Sequence, residues 1–316
     1  MPGPPPVNRF DSALRLLPMH PCRSSSTARL IARSTLLAAH DHERHRLVPS
    51  GAVAPVAAML AADGPAFWFK LALHHPGAGA LLRRLEHTVL PGIITHYLAR
   101  KRWLENATTS ALASGCTQVV ILGAGFDSLA WRLHRERPGV RFFELDHPAT
   151  QAAKRAALRV EPNFTFLAAD LSSVLPGEVL CGCPAFSPND PTLFLAEGLL
   201  MYFPEARVAA LLRDLAGLTL PAATVLFSFM AAGPDGSISF QGEHAAVGWW
   251  LRRQSEPFRW GIARADLPAF LRACGLESQA LADHEVLRDR ILAPLGLAGL
   301  PLARGECLCQ CSTLAP

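Results

Sequence analysis

The chain has 316 residues, half of them hydrophobic and 18% charged, which excludes a disordered or acidic-tail protein lacking the apolar surface to offset chain entropy. Thirty Lys and Arg against 26 Asp and Glu give a net charge of +4, and these basic residues are scattered rather than gathered in a stripe, so no nucleic-acid partner is implied. Eight cysteines in so long a chain are no disulfide framework, and the length suits one large domain with an appended cap.

Residues 1–25 are rich in Pro and Ser, sustain no period, and read as a flexible tail. Met1–Asn8 has no apolar run of signal-peptide length, so the expected setting is reducing and cytoplasmic. Ser26 and Thr27 are placed to cap a helix running to Leu37. The charge-poor stretch Leu47–Ala62 is interrupted by Pro49 and Pro55, and Leu215–Pro234 by Pro221, so no membrane span is expected. Pro91 opens a helical segment, Ile93–Leu112, with Ile93, Ile94, Tyr97, Leu98 and Leu104 at helical spacing and Arg100, Lys101 and Arg102 between them. No strand pattern precedes Gln118, so residues 26–115 read as a helical cap.

From Gln118 the pattern changes. Gln118–Leu122, Val140–Leu145, Phe164–Leu167, Leu193–Ala196 and Thr224–Met230 read as buried strands. Helices are expected over Asp127–Glu136, His147–Val160 and Pro204–Gly217. This alternation predicts a parallel α/β sheet covered on both faces. A helix over Arg264–Cys274 and strand-like pieces at Leu276–Leu281 and Glu306–Ser312 complete the chain.

Ligands of open parallel sheets sit beyond the carboxyl ends of the strands. Here four successive strand ends carry glycine or a carboxylate: Gly123-Ala124-Gly125-Phe126-Asp127, then Glu144-Leu145-Asp146, then Asp170-Leu171, then Glu197-Gly198. The two glycines of the first turn let backbone approach a ligand closely. An acid about 20 residues later suits ribose hydroxyls. Asp146 lies 21 residues after Gly125 and Glu144 lies 21 after Gly123, so both fit, with Asp146 nearer the strand end. A dinucleotide fingerprint would place a third glycine where Ser128 stands, and Asp127 at the helix start would repel a pyrophosphate. The charge pattern therefore favours a cationic, phosphate-free cofactor, S-adenosyl-L-methionine, over NAD(P). Asp170 then suits the adenine amine and Glu197 the methionine ammonium.

With these residues in view, the runs Gly123–Ser128, Phe143–Pro148, Ala169–Leu171 and Ala196–Phe203 resemble the leucine carboxyl methyltransferase family of class I O-methyltransferases. Leu90–Trp103 and Glu256–Gly261 resemble its bacterial branch, which includes enzymes esterifying polyketide carboxyl groups. The resemblance implies a Rossmann-like, seven-stranded class I methyltransferase domain over residues 116–316. It also implies Arg100 on the cofactor carboxylate and Gly123, Ala124 and Gly125 along the methionine moiety. Asp146 would take the ribose, Asp170 and Leu171 the adenine edge, and Glu197 the ammonium. A second cofactor-side cation is implied from the first helix, where Arg29 and Arg33 stand.

The implied reaction is O-methylation of a small-molecule carboxylate. An ionised carboxylate has a pKa of about 4 and needs no general base, whereas a phenol, at about 10, would need one. Acceptor-side candidates are Tyr202, His244 and Trp249, with Trp250, Arg252 and Arg253 nearby, on a stretch, about 234–260, that could form a lid. Alternatives are a phenol or protein C-terminal carboxylate as acceptor, an NAD(P)-dependent oxidoreductase, and a non-catalytic cofactor-binding module. No metal site is expected: His40, His42 and His45 do not share one helical face, and Cys307, Cys309 and Cys311 read as buried free thiols.

Overall fold

A computed structural model of the protein describes residues 24–64, 76–220 and 223–314. The predicted tail as far as residue 23 and the predicted break at Pro221 lie outside these residues. Eight strands form one sheet: β1 (Gln118–Leu122), β2 (Arg141–Asp146), β3 (Phe164–Ala168), β4 (Thr192–Ala196), β5 (Thr224–Ala231), β6 (Gly261–Ile262), β7 (Leu276–Ala282) and β8 (Glu306–Thr313). Seven follow the spatial order β3-β2-β1-β4-β5-β8-β7, and the two-residue β6 pairs with the end of β5. β1 to β5 are parallel, while β8 runs antiparallel between β5 and β7. The expected seven-stranded path is present, with β6 as an addition.

The apolar runs are buried because both faces of the sheet are covered. Successive side chains alternate between faces. Val120, Leu122, Phe143, Phe194 and Phe227 pack on one side with Leu211 and Leu212 of α8 (Glu205–Gly217). Val119, Ile121, Phe142, Leu193 and Leu195 pack on the other with Leu98 and Leu104 of α4 (Ile93–Ala113) and with Leu129 and Leu133 of α5 (Leu129–Glu136). Thus α4, at the end of the predicted cap, lies directly against the sheet. The preceding helices α1 (Ser26–Ala39) and α2 (Val53–Asp63) pack with Phe126, Ala153 and Leu158 near the strand ends. α3 (Pro76–Val89) leads into the turn before α4.

Several helices are shorter than their sequence patterns. α5 starts at Leu129 rather than Asp127, because Asp127 stays outside and its Oδ1 accepts from Leu129 N at 2.6 Å. α6 (Pro148–Ala157) starts one residue after His147, whose Nδ1 accepts from Ala149 N, and it ends at Ala157 rather than Val160. α7 (Pro176–Cys181) lies between β3 and β4. The stretch after β5 holds α9 (Ala245–Arg253), which sequence patterning had left unassigned, and α10 spans Leu267–Ala273 rather than 264–274. The short α11 (His284–Leu287) precedes β8. No helix among the described residues is long and apolar enough to cross a membrane.

Phe227 is fully buried at the centre of the sheet. Phe227→Ala should lower stability by about 3–5 kcal/mol, the usual cost of emptying an aromatic core site, read as a shift of the urea midpoint at constant slope.

Candidate active site

In the spatial order of the sheet, β1 separates β2 from β4, so chain direction along the sheet reverses there and the ends of β1 and β4 open a crevice. A cavity of about 410 Å³ fills it, within the usual range for small-ligand sites. Its floor is the turn Gly123–Gly125, its far wall the β4 end and α4, and its roof α1 with residues 255–259.

The glycine turn has a steric basis. Gly123 and Gly125 have φ of +62° and +51°, and a Cβ on Gly123 would stand 2.7 Å from Leu199 Cδ1. Asp146, at the end of β2, faces this turn. Its Oδ2 accepts from Gly125 N and its Oδ1 accepts from His147 N at 2.6 Å. Burial pushes the Asp146 carboxyl above its ordinary range against these two N–H groups. Gly123, Ala124, Gly125, Asp127, Asp146, Asp170, Leu171, Glu197 and Arg100 are all brought together on the cavity surface.

Glu144 is not among them. It is fully buried beneath the glycine turn, with Oε2 2.6 Å from Lys154 Nζ, and Lys154 also donates to the Asp127 carbonyl at 2.9 Å. Burial pushes the Glu144 carboxyl up to about 7, against the pull of Lys154. In β2, residues two apart share a face, but Asp146 ends the strand and reaches the opening, whereas Glu144 stays under it. The expectation that Glu144 touches a cofactor is corrected: it supports the turn from below.

The acids of the far wall are neutralised. Arg100 donates from Nε to Glu197 at 2.9 Å and from Nη1 to both oxygens of Glu306 at 2.7 Å. Its guanidinium also lies 5.1 Å from the Tyr97 ring centroid. Lys101 reaches Asp127 Oδ2 and stands 3.2 Å from Glu197 Oε1. Burial pushes the Asp127 carboxyl up, but Lys101 outweighs it and holds the group at about 2. Burial lowers the Arg100 and Lys101 pKa values, and the paired carboxylates more than reverse this, so both remain cations. Sequence reading expected a gathering of negative charge; the structure has paired charges of both signs.

Lys101 and Glu306 were not singled out from the sequence. Lys101 was read as one of three polar residues between apolar ones, and Glu306 stands at the start of a strand that also carries Gln310, Ser312 and Thr313, so no local signal marked it. Conversely, neither Arg29 nor Arg33 lines the cavity. Arg29 turns to Asp63 of α2 at 3.4 Å and to Ser24 Oγ at 2.9 Å.

On the acceptor side, Tyr202 lines the cavity and its phenol is held protonated by burial. His244 and Trp249 do not line it. His244 caps α9, its Nδ1 accepting from Ala246 N at 3.1 Å, and Trp249 is 56% exposed beneath the Arg253 guanidinium. Trp250, Arg252 and Arg253 are likewise outside the lining; Ser255, Glu256 and Arg259 of the same stretch are inside it. Glu256 ties this stretch to the start of α1, accepting from Ser26 N and Thr27 N at 3.0 Å each and from Thr27 Oγ1 at 2.5 Å. The carboxylate thereby satisfies donors that a helix N-terminus leaves free. Among the described residues no group of His, Cys, Asp and Glu is arranged to hold a metal ion, and Cys307, Cys309 and Cys311 are buried free thiols.

The Glu306 carboxyl ties this wall to pH. Burial pushes it up, but Arg100 and the His96 hydrogen bond outweigh burial and hold it at about 2, against an ordinary 4.5. A depressed carboxyl stabilises the fold above its unfolded value and loses that contribution as pH falls through its folded value. The share at stake is about 3 kcal/mol, lost between about pH 4.5 and 2. Urea midpoints measured from pH 5 downward should therefore fall less steeply in Glu306→Gln than in the parent protein.

The sequence profile of the leucine carboxyl methyltransferase family matches residues 35–216. A Streptomyces avermitilis protein provisionally named as an S-adenosyl-L-methionine-dependent methyltransferase is 34% identical over 208 residues, covering 61% of this chain and 65% of that one. A similarly named Streptomyces coelicolor protein is 33% identical over 177 residues, covering 52% and 59%. In both cases the matched stretch spans less than two thirds of the relative's length. A Frankia alni protein with the same provisional name is 32% identical over 249 residues, covering 68% of this chain and 82% of its own. The solved structure of a Thermobifida fusca protein, provisionally titled a methyltransferase, superposes with a TM-score of 0.51 at 16% identity, covering 76% of this chain and 89% of that one. That likeness is one of fold, the class I methyltransferase α/β fold. With a family profile matched over more than half its length, the chain belongs to the leucine carboxyl methyltransferase family.

Proposed function

We propose that the protein is an S-adenosyl-L-methionine-dependent O-methyltransferase that esterifies a carboxyl group of a small molecule. The observation that carries this reading is the charge arrangement of the cavity. One end presents Arg100 and Lys101 beside Asp127 and Glu197, and a carboxylate, Asp146 at the end of β2, accepts from the N–H of Gly125 in the glycine turn. Cations beside acids match a zwitterionic amino-acid group, and an acid between backbone N–H groups matches a ribose diol. The provisional names of the relatives agree with this cofactor.

On this reading the residues have separate tasks. Arg100 and Lys101 hold the methionine carboxylate and Glu197 its ammonium. Gly123, Ala124 and Gly125 let the backbone come close to the methionine moiety, Asp146 holds the ribose, and Asp170 and Leu171 border the adenine. When bound, the cofactor supplies a methyl group already activated by its sulfonium. The roof excludes water: α1, anchored by Glu256, and the stretch about 234–260 act as a lid, with the helices of 26–115 as its support. Arg259, at the exposed mouth of the cavity, attracts and orients an anionic acceptor, while Tyr202 packs against it. His147 is the histidine of the described lining, and its Nδ1 is already engaged by Ala149 N, which favours an acceptor that needs no base.

Two measurements test this. Asp146→Ala should weaken binding of S-adenosylhomocysteine by about tenfold or more, as expected for a lost charge-assisted hydrogen bond; an unchanged affinity refutes the ribose assignment. With labelled methyl donor and host small-molecule extract, label should appear in a base-labile ester. Transfer should persist down to about pH 5, because the acceptor ionises near 4. A rate that falls steeply below neutrality would assign a phenol and a base instead.

A further inference from the structure

Glu306 is the most distant contributor to the cavity wall in sequence, and it touches no part of the cavity surface itself. It opens β8, paired with Met230 of β5, and is 2% exposed. Three side chains converge on its carboxylate. Arg100 Nη1 donates to both oxygens at 2.7 Å, His96 Nε2 donates to Oε2 at 2.8 Å, and Ser228 donates its hydroxyl. Ser228 Oγ in turn accepts from Gly198 N at 2.8 Å. Gly198 has a φ of +58° and directly follows Glu197, so this N–H fixes the turn that aims Glu197 at the cavity. His96 is itself fully buried, wedged edge-on between Tyr97 and Phe240, and so braces the carboxylate from behind.

The two cavity groups held this way have opposite charges. Arg100 receives the bidentate grip of Glu306 on one side and meets Glu197 on the other. Without the rear carboxylate, the guanidinium would be free to close fully on Glu197, leaving neither charge available to a ligand. With it, Arg100 is shared and both groups keep capacity on the cavity side.

Resting on the S-adenosyl cofactor reading above, we propose that Glu306 is a positioning residue for the amino-acid end of the cofactor, holding Arg100 directly and the Glu197–Gly198 turn through Ser228. It acts on that end alone: the ribose acid Asp146 and the adenine-side Asp170 are fixed by their own backbone N–H partners, Gly125 and His147 for the first and Ser172 for the second.

The test compares two ligands that differ only at that end. S-adenosylhomocysteine carries the amino-acid group; 5′-methylthioadenosine has the same thioadenosine without it. Binding of both is measured by calorimetry on the full chain. Glu306→Gln should weaken S-adenosylhomocysteine by about tenfold or more and leave 5′-methylthioadenosine within about twofold. Ser228→Ala keeps the ion pair, so it serves where Glu306→Gln fails to fold; it should weaken S-adenosylhomocysteine by about threefold, again sparing the shorter ligand. Equal loss of both ligands would assign Glu306 a purely structural role, and loss of neither would remove it from the site; each overturns the proposal while leaving the cofactor reading intact. A parent protein that binds neither ligand overturns the cofactor reading, and this proposal with it.

Discussion

Arg100 carries a full charge into a wall where 2% of the residue meets solvent, and that burial is sustained only because Glu197 and Glu306 meet the guanidinium from opposite sides. Moving an ion out of water costs several kcal/mol, so each buried charge here recruits another. Glu197 is shared with Lys101, Lys101 with Asp127, and Asp127 takes the N–H of Leu129 that starts α5. The chain of partners crosses the crevice from the last strand to the first glycine turn. A second buried pair, Glu144 with Lys154, lies under that turn and holds the Asp127 carbonyl from below. The cavity is thus shaped by charge pairing as much as by apolar packing, and removing one member of a pair leaves its partner buried and unmatched.

The sheet was legible in the sequence because its signals are local. Gln118–Leu122, apolar after its first residue, and Leu193–Ala196 are short buried runs, and burial on both faces leaves no polar alternation to confuse them. The glycines and acids at the strand ends were legible for the same reason: each sits within a few residues of the run that positions it. What could not be read depends on contacts across long sequence distances. Glu306 meets Arg100 from 206 residues away, and Glu256 meets Thr27 from 229. The side to which Glu144 points was equally hidden, since a strand acid next to an opening and one beneath it look alike until a partner such as Lys154 is placed. His244 and Trp249 were chosen by residue type. α9 turned them to a cap and a surface, while Ser255, Glu256 and Arg259, a few positions on, came to the cavity.

Consecutive residues of α4 show how one short segment serves three ends. Arg100 faces Glu306 and Glu197, Lys101 faces Asp127, and Arg102 donates to the carbonyls of Leu47, Arg46 and Val48, closing the turn before α2. Neighbouring side chains on a helix diverge by about 100°, so a run of three cations fans out to three neighbours. Their clustering in sequence reflects the position of α4, wedged between the sheet, the glycine turn and the N-terminal helices, rather than a solvated face.

The placement of β8 bears on how the protein is made. β8 lies inside the sheet, between β5 and β7, and contributes nearly the last described residues of the chain. A ribosome releases α4 some two hundred residues before it releases Glu306. Without β8, Arg100 has no rear counter-ion, Ser228 loses the Glu306 carboxylate, and β5 becomes an unpaired edge of the sheet. Among the described residues the ligand wall therefore depends on a strand that follows all the others in sequence, and a chain lacking β8 lacks the partners that hold Arg100 and the Glu197–Gly198 turn in place.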